Sequence, residues 1–128
     1  MVLLDTHALI WLALAPKQLS APAEQAITQA RGLSIAAISL WEIAMLAQKR
    51  RIQIDTTCDS FLNLALQAYD IQTLPITPQI ATLSTQLPKA VNQDPADRLI
   101  VATAVVENIP LITADRNLRM ADIITTIW

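Results

Sequence analysis

Eleven acidic residues are scattered through a chain of 128, and four of them stand where a fold would carry them to one place. Asp5 ends the apolar run Val2-Leu3-Leu4, and Asp115 follows Leu111-Ile112-Thr113-Ala114. Glu42 closes Ser39-Leu40-Trp41-Glu42 at the start of a helical pattern, and Asp97 closes Asp94-Pro95-Ala96-Asp97 at the start of another. Short apolar runs read as buried strands. In an open parallel sheet, ligands collect in the crevice outside the carboxyl ends of the strands, so Asp5 and Asp115 are expected at that edge. A helix that follows a strand begins at the same edge, which places Glu42. A crossover helix runs antiparallel to the strand it feeds, which places Asp97 there too. Four carboxylates packed together are costly unless something neutralises them. A divalent cation does so, and hard oxygen donors suit Mg²⁺ or Mn²⁺. No His and Cys cluster at zinc spacing competes. Such an ion lowers the pKa of bound water and stabilises charge developing on a phosphoryl group, so the implied chemistry is phosphodiester hydrolysis.

Each acid also has a purely structural reading. Glu42 is what a Ser-x-x-Glu capping box supplies for stability. Asp97 favours the helix dipole, Asp94 is a natural N-cap before Pro95 that could also approach the ion, and Asp115 suits a turn. Asp5 is hardest to dismiss, because a carboxylate at the end of an apolar strand needs a partner. Joint placement at one sheet edge is what favours the chemical reading. His7, the lone histidine, is a candidate acid–base group or simply the start of a helix. Trp11 and Trp41 sit among aliphatics and read as core or dimer contacts rather than stacking platforms. The cations Lys49, Arg50, Arg51, Arg98, Arg116 and Arg119 are candidates for phosphate contacts. Lys49–Arg51 reads as a solvated helix end. Arg98 and Arg116, each beside a candidate ligand, are the better substrate-binding candidates, with internal pairing to the acids as the alternative.

The elements that must position these groups alternate along the chain. Strands are expected at 2–5, 33–38, 71–76, 111–113 and 123–127, the third marred by Pro75 and the last at an edge. Helices are expected from His7 to Leu14, from Ser20 to about Ala30, after Ser39 to Lys49-Arg50-Arg51, after Thr56 or Thr57, from Thr77-Pro78 to about Leu87, and from Asp94 to near Asn108. Ser20 with Glu24, and Ser39 with Glu42, are read as capping boxes. Gly32, the only glycine, is expected as a helix C-cap. Apolar strands alternating with helices imply a parallel sheet buried on both faces, an α/β/α sandwich. Hydrophobic residues make up 53% and charged residues 16%, which suits one domain, 1–128, with a substantial core. A net charge of −2 carries no whole-chain signature of nucleic-acid binding, so such a site must be local. The lone cysteine, Cys58, excludes an internal disulfide framework and suits a reducing compartment. The apolar beginning lacks the positive region of a signal peptide. The stretch from Leu33 to Ala47 contains Glu42 and is shorter than the roughly 20 apolar residues of a membrane span. A soluble, cytoplasmic protein is expected.

Four stretches together resemble a known family. They are Leu3-Leu4-Asp5-Thr6-His7-Ala8-Leu9-Ile10-Trp11, Ser39-Leu40-Trp41-Glu42-Ile43-Ala44, Asp94-Pro95-Ala96-Asp97-Arg98-Leu99-Ile100-Val101-Ala102 and Leu111-Ile112-Thr113-Ala114-Asp115. In this order they resemble the PIN-domain ribonucleases, specifically the VapC-type toxins of bacterial type II toxin–antitoxin modules. The resemblance implies an α/β/α sandwich around a mainly parallel sheet of four to five strands. It implies an acidic quartet on Asp5, Glu42, Asp97 and Asp115 that binds Mg²⁺ or Mn²⁺ and cleaves RNA. Thr113 matches a position that often carries a hydroxyl near the fourth acid, and that acid, here Asp115, is the family's most variable. A homodimer and a cognate antitoxin that covers the active-site groove are also implied. Two other readings stand beside it. One is a metal-dependent phosphatase or phosphoryl-accepting domain with Asp5 as nucleophile, mildly disfavoured by the lack of a Lys near a third strand. The other is a non-catalytic protein-binding module of the same fold.

Overall fold

The computed structural model describes residues 1–128. Five strands, β1 (Val2–Leu4), β2 (Leu33–Ala36), β3 (Ile71–Leu74), β4 (Leu111–Ile112) and β5 (Thr126–Ile127), form one sheet in the order β3-β2-β1-β4-β5. Every pairing is parallel. The helices are α1 (Thr6–Leu14), α2 (Ala21–Gln29), α3 (Ala37–Gln48), α4 (Cys58–Ala68), α5 (Pro78–Gln86), α6 (Pro95–Glu107) and α7 (Arg116–Met120). The chain builds outward from β1 to β3, then returns to the other side of β1 to lay down β4 and β5. The strand order therefore reverses between β1 and β4, and a crevice opens there at the carboxyl edge.

The inner strands β1, β2 and β4 are buried at every residue because both faces are covered, whereas the edge strand β3 exposes Gln72 and Thr73. Val2 and Leu4 point into one core with Leu33, Ile35 and Ile112, packed under α1, α2, α4 and Ile43 of α3. Leu3, between them, points into the other with Ala36, Leu74 and Leu111, packed under α5, α6 and Leu118 of α7. Adjacent strand residues face opposite sides, so this two-sided burial removes the polar alternation of a half-exposed sheet. Ser34, buried in β2, donates its hydroxyl to the carbonyl of Val2 at 2.9 Å.

Several local expectations change. β2 ends at Ala36 rather than Ile38, and α3 begins at Ala37 with no side-chain cap. A short apolar run does not distinguish buried strand from buried helix, and Ser-Ile-Ala-Ala-Ile is such a run. Ser39 therefore lies inside α3 rather than capping it, and Glu42 stands in the second turn. The Ser20 box is only half made. The Ser20 hydroxyl accepts from the Ala23 N–H at 3.2 Å, but Glu24 lies four residues on, one beyond the position that reciprocates. The helix closes at Ala30 in an extended conformation, so Gly32 is not its cap; its carbonyl accepts from Val2 N instead. β3 stops at Leu74, before Pro75, which has no N–H for the ladder. Helix α7 was not expected; Asp115 caps it. Thr57, Thr77 and Asp94 cap α4, α5 and α6 as anticipated.

The segment between α5 and α6 is tied down by Arg98. Its Nε donates to the carbonyl of Ser84 at 2.8 Å, and its terminal nitrogens reach the carbonyls of Leu87, Pro88, Val91 and Asn92. Replacing Arg98 with Met keeps the aliphatic stem and orphans these acceptors. Stability should fall by about 2 kcal/mol, read as a lower urea midpoint at unchanged slope; an unaltered midpoint would count against the strap.

Candidate metal centre

Asp5, Glu42, Asp97 and Asp115 line one cavity of about 440 Å³ at the β1/β4 reversal, together with Thr6, His7, Trp11, Asp94 and Ala114. A larger hollow of about 660 Å³ lies elsewhere, between α6 and the approach to β5, and Asp122 is its only acid. Size alone would single out that hollow; the converging chemistry singles out the first.

Three of the acids in the cavity also start helices. Asp5 caps α1, with Oδ1 accepting from Thr6 N at 2.8 Å. Asp94 caps α6, with Oδ1 accepting from Ala96 N at 2.8 Å. Asp115 caps α7, with Oδ1 accepting from Leu118 N at 3.1 Å. The N-terminal end of each helix carries partial positive charge, so capping and clustering of anions are served by the same geometry. Asp97 stands in the first turn of α6.

Neutral donors hold the remaining oxygens. The Thr113 hydroxyl donates to Asp5 Oδ2 at 2.7 Å and accepts from Asp115 N at 3.1 Å. The Asn92 amide donates both to Asp97 Oδ2 at 3.0 Å and to Asp115 Oδ2 at 2.9 Å. It is itself oriented by Asn117, whose amide donates to Asn92 Oδ1 at 3.0 Å. Thr6 Oγ1 contacts Glu42 Oε1 and lies 2.8 Å from Ser39 Oγ. A hydroxyl has one proton, so with Glu42 ionised Thr6 donates to it and accepts from Ser39.

These donors do not cancel the cost of burying the acids together. Burial raises the Asp5 carboxyl above its ordinary 3.8, and Asp115 adds to the rise; Thr113, Thr6 N–H and His7 oppose it. Burial, with Asp97, Asp5 and Asp94, pushes Glu42 up to about 7 against the pull of Thr6. Burial, with Asp5, Asp94 and Asp115, pushes Asp97 up to about 6 against the pull of Asn92.

The donor set fits a hard divalent cation. Carboxylate oxygens of Glu42, Asp94 and Asp97 all lie within 4.8 Å of one another, while Asp5 and Asp115, also expected as ligands, line the same cavity outside this trio; the lining holds no sulfur ligand. Asp94, read from the sequence as a cap, thus also stands among the oxygens that could hold the ion.

The arginines go elsewhere. Arg98 was a candidate for substrate phosphate or for pairing with an acid, yet its guanidinium is engaged by backbone carbonyls. Arg116 is exposed and lines a separate hollow of about 480 Å³ with Arg119, Met120, Thr126 and Trp128. His7 does stand in the first turn of α1 and Trp11 does pack, partly buried, against the core, and both also line the cavity. Trp41 is 57% exposed and so is not core. Thr6, Ser39, Asn92 and Asn117 were missed as organisers of the acids. Thr6 follows Asp5 directly and offered the one local signal.

Raised carboxyl pKa values make the fold prefer protonated acids in the absence of metal. The stabilisation this provides is complete below the ordinary values of 3.8 and 4.5 and is lost as pH rises through about 6 and about 7. In EDTA the protein should melt about 7 °C lower at pH 8 than at pH 5, a loss of about 2 kcal/mol after allowance for solvent screening. Saturating Mn²⁺ should close the gap by binding the folded state. A metal-free Tm that rises over this range would contradict the assignment.

The chain is similar to known proteins over most of its length. A family model for the PIN domain matches residues 2–124. The chain is 44% identical over 118 residues to Ribonuclease VapC22 of Mycobacterium tuberculosis, covering 92% of this chain and 89% of that protein. Among solved structures, a toxin–antitoxin complex from Klebsiella pneumoniae superposes with a TM-score of 0.71 at 23% identity, over 100% of this chain and 97% of that one. VapBC2 from Rickettsia felis, bound to a promoter DNA fragment, gives 0.71 at 16% identity over 98% and 97%. At these identities the structures speak for the fold, while the family match and the curated relative settle membership: the chain belongs to the PIN domain family.

Proposed function

We propose that this protein is a divalent-metal-dependent endoribonuclease, the toxin of a toxin–antitoxin pair, folded as one PIN domain over 1–128. The observation that carries the reading is the convergence of five carboxylates, with Asp5, Glu42 and Asp97 pushed up in pKa. The 44% identity to a protein named a ribonuclease supports the reaction class. Asp5, Glu42, Asp97 and Asp115 are the catalytic and metal-holding set, with Asp94 beside them. Mg²⁺ or Mn²⁺ bound there supplies a nucleophilic water and stabilises charge at the scissile phosphate.

The chain's own residues orient the set. Thr113 holds Asp5, Asn92 spaces Asp97 from Asp115, and Thr6 holds Glu42. Such outer contacts fix the direction of ligand lone pairs. The phosphoryl-accepting alternative is less well supported, since both Asp5 oxygens are engaged by donors and no Lys lines the cavity. Arg116 and Arg119 are assigned to the RNA backbone as exposed cations near the site. A cognate antitoxin is the proposed protein partner, in keeping with neighbours solved as toxin–antitoxin complexes. The exposed indole of Trp41 offers apolar area for it at the rim. A homodimer in the cytoplasm completes the proposal; no helix is long and apolar enough to cross a membrane.

Mn²⁺-dependent cleavage of a total RNA pool should fall at least about 100-fold in Asp5→Asn, since loss of a ligand removes the charge stabilisation the ion provides. Equal cleavage by wild type and Asp5→Asn would rule the mechanism out. Thr113→Val should weaken Mn²⁺ binding about tenfold, measured by calorimetry; unchanged affinity would remove Thr113 from the site.

A further inference from the structure

We propose that His7 and Trp11 form an aromatic corner on which the nucleobase beside the scissile phosphate stacks. The inference rests on the endoribonuclease reading and concerns how that site takes hold of its substrate.

The cavity wall narrows the choice of gripping groups. Five of its nine lining residues are acids, which repel an RNA backbone. Thr6 is engaged by Glu42 and Ser39, Arg98 by carbonyls, and Ala114 offers only a methyl group. What remains is His7 and Trp11. They stand four residues apart on α1 and so share one helix face. Their ring centroids are 5.7 Å apart with planes inclined by 52°. The indole is backed by Trp128, at 5.5 Å and 50°, so it does not need to be ordered when substrate arrives. The His7 ring is exposed and its residue lies two positions from Asp5. A base resting on this corner would place its own phosphate over the acids.

The wall also continues in a useful direction. Trp128 touches Trp11 and lines the hollow that holds Arg116 and Arg119. A single strand leaving the acids therefore meets an aromatic corner and then two cations. Aromatic platforms with a cationic track are how proteins bind single-stranded nucleic acid with little base preference, because every base has a π-face.

The experiment uses the full-length protein with Mn²⁺ and a short single-stranded RNA spanning a cut mapped in the total-RNA assay. Each nucleotide flanking the cut is replaced in turn by an abasic ribose. Wild type is compared with His7→Ala and His7→Phe, and folding of each variant is verified by its melting curve. One abasic position should raise KM about tenfold with kcat within about twofold, the size expected for loss of one stacked base. His7→Ala should do the same on intact RNA and add nothing on that abasic RNA. His7→Phe, which keeps a flat ring and loses the imidazole nitrogens, should restore KM. Independent, multiplying effects of the abasic site and His7→Ala would overturn the stacking corner while leaving the nuclease intact. So would a His7→Phe protein as impaired as His7→Ala. Absence of any RNA cleavage by wild type would overturn the nuclease reading and this inference with it.

Discussion

Desolvation of carboxylates gathered in one crevice, with their mutual repulsion added to it, is the constraint to which the rest of this structure answers. Burial first, and then the neighbouring anions, raise the proton affinity of these acids, and Glu42 and Asp97 are displaced accordingly, to about 7 and about 6. A fold can tolerate such a cluster only by surrounding it with donors. Here they come in two kinds. Backbone N–H groups at the starts of α1, α6 and α7 cap Asp5, Asp94 and Asp115. Neutral side chains of Thr6, Thr113 and Asn92 take further oxygens. No buried side-chain polar atom is left without a partner.

The use of neutral donors, where arginine or lysine would neutralise the acids outright, has a functional consequence. A salt-bridged carboxylate is a poor ligand because its charge is already matched. A carboxylate held by a hydroxyl or an amide keeps its charge and gains a fixed direction. The acids then compete between protons and a cation, and metal binding is coupled to proton release. The same arrangement makes the metal-free fold less stable where the ligands are ionised, an exchange of stability for a prepared site that is common in enzymes.

The helix starts show how one residue serves both ends. Reading Asp94 or Asp115 as a cap is correct and incomplete. The first turn of a helix that follows a parallel strand, as α7 does, or that runs back to feed one, as α6 does, lies at the carboxyl edge, so a capping acid there is also a crevice acid. Glu42 reaches the crevice differently, from the second turn of α3, and depends on the Thr6 hydroxyl where the others use backbone N–H groups. The capping box first read around it does not exist, and its place in the cavity comes from the packing of α3 beside α1.

Local pattern determined a good deal here. Apolar runs of three or four residues, each followed by an acid or a helix start, were enough to imply a parallel sheet buried on both faces. They also placed Asp5 and Asp115 at its carboxyl edge, because period and burial are written in consecutive residues. The Asp94-Pro95 start was legible for the same reason. Where the pattern was ambiguous, at Ser34 to Ile38, the boundary between β2 and α3 was misplaced. Tertiary structure alone decided that β4 returns to the side of β1, which lets Thr113 reach Asp5 across 108 positions. It alone brought Asn92 between Asp97 and Asp115, drew Arg98 to the carbonyls before α6, and turned Trp11 toward the acids. Those contacts join residues that no local periodicity relates. They depend on strand order and on the packing of helices against the sheet, which are properties of the whole chain.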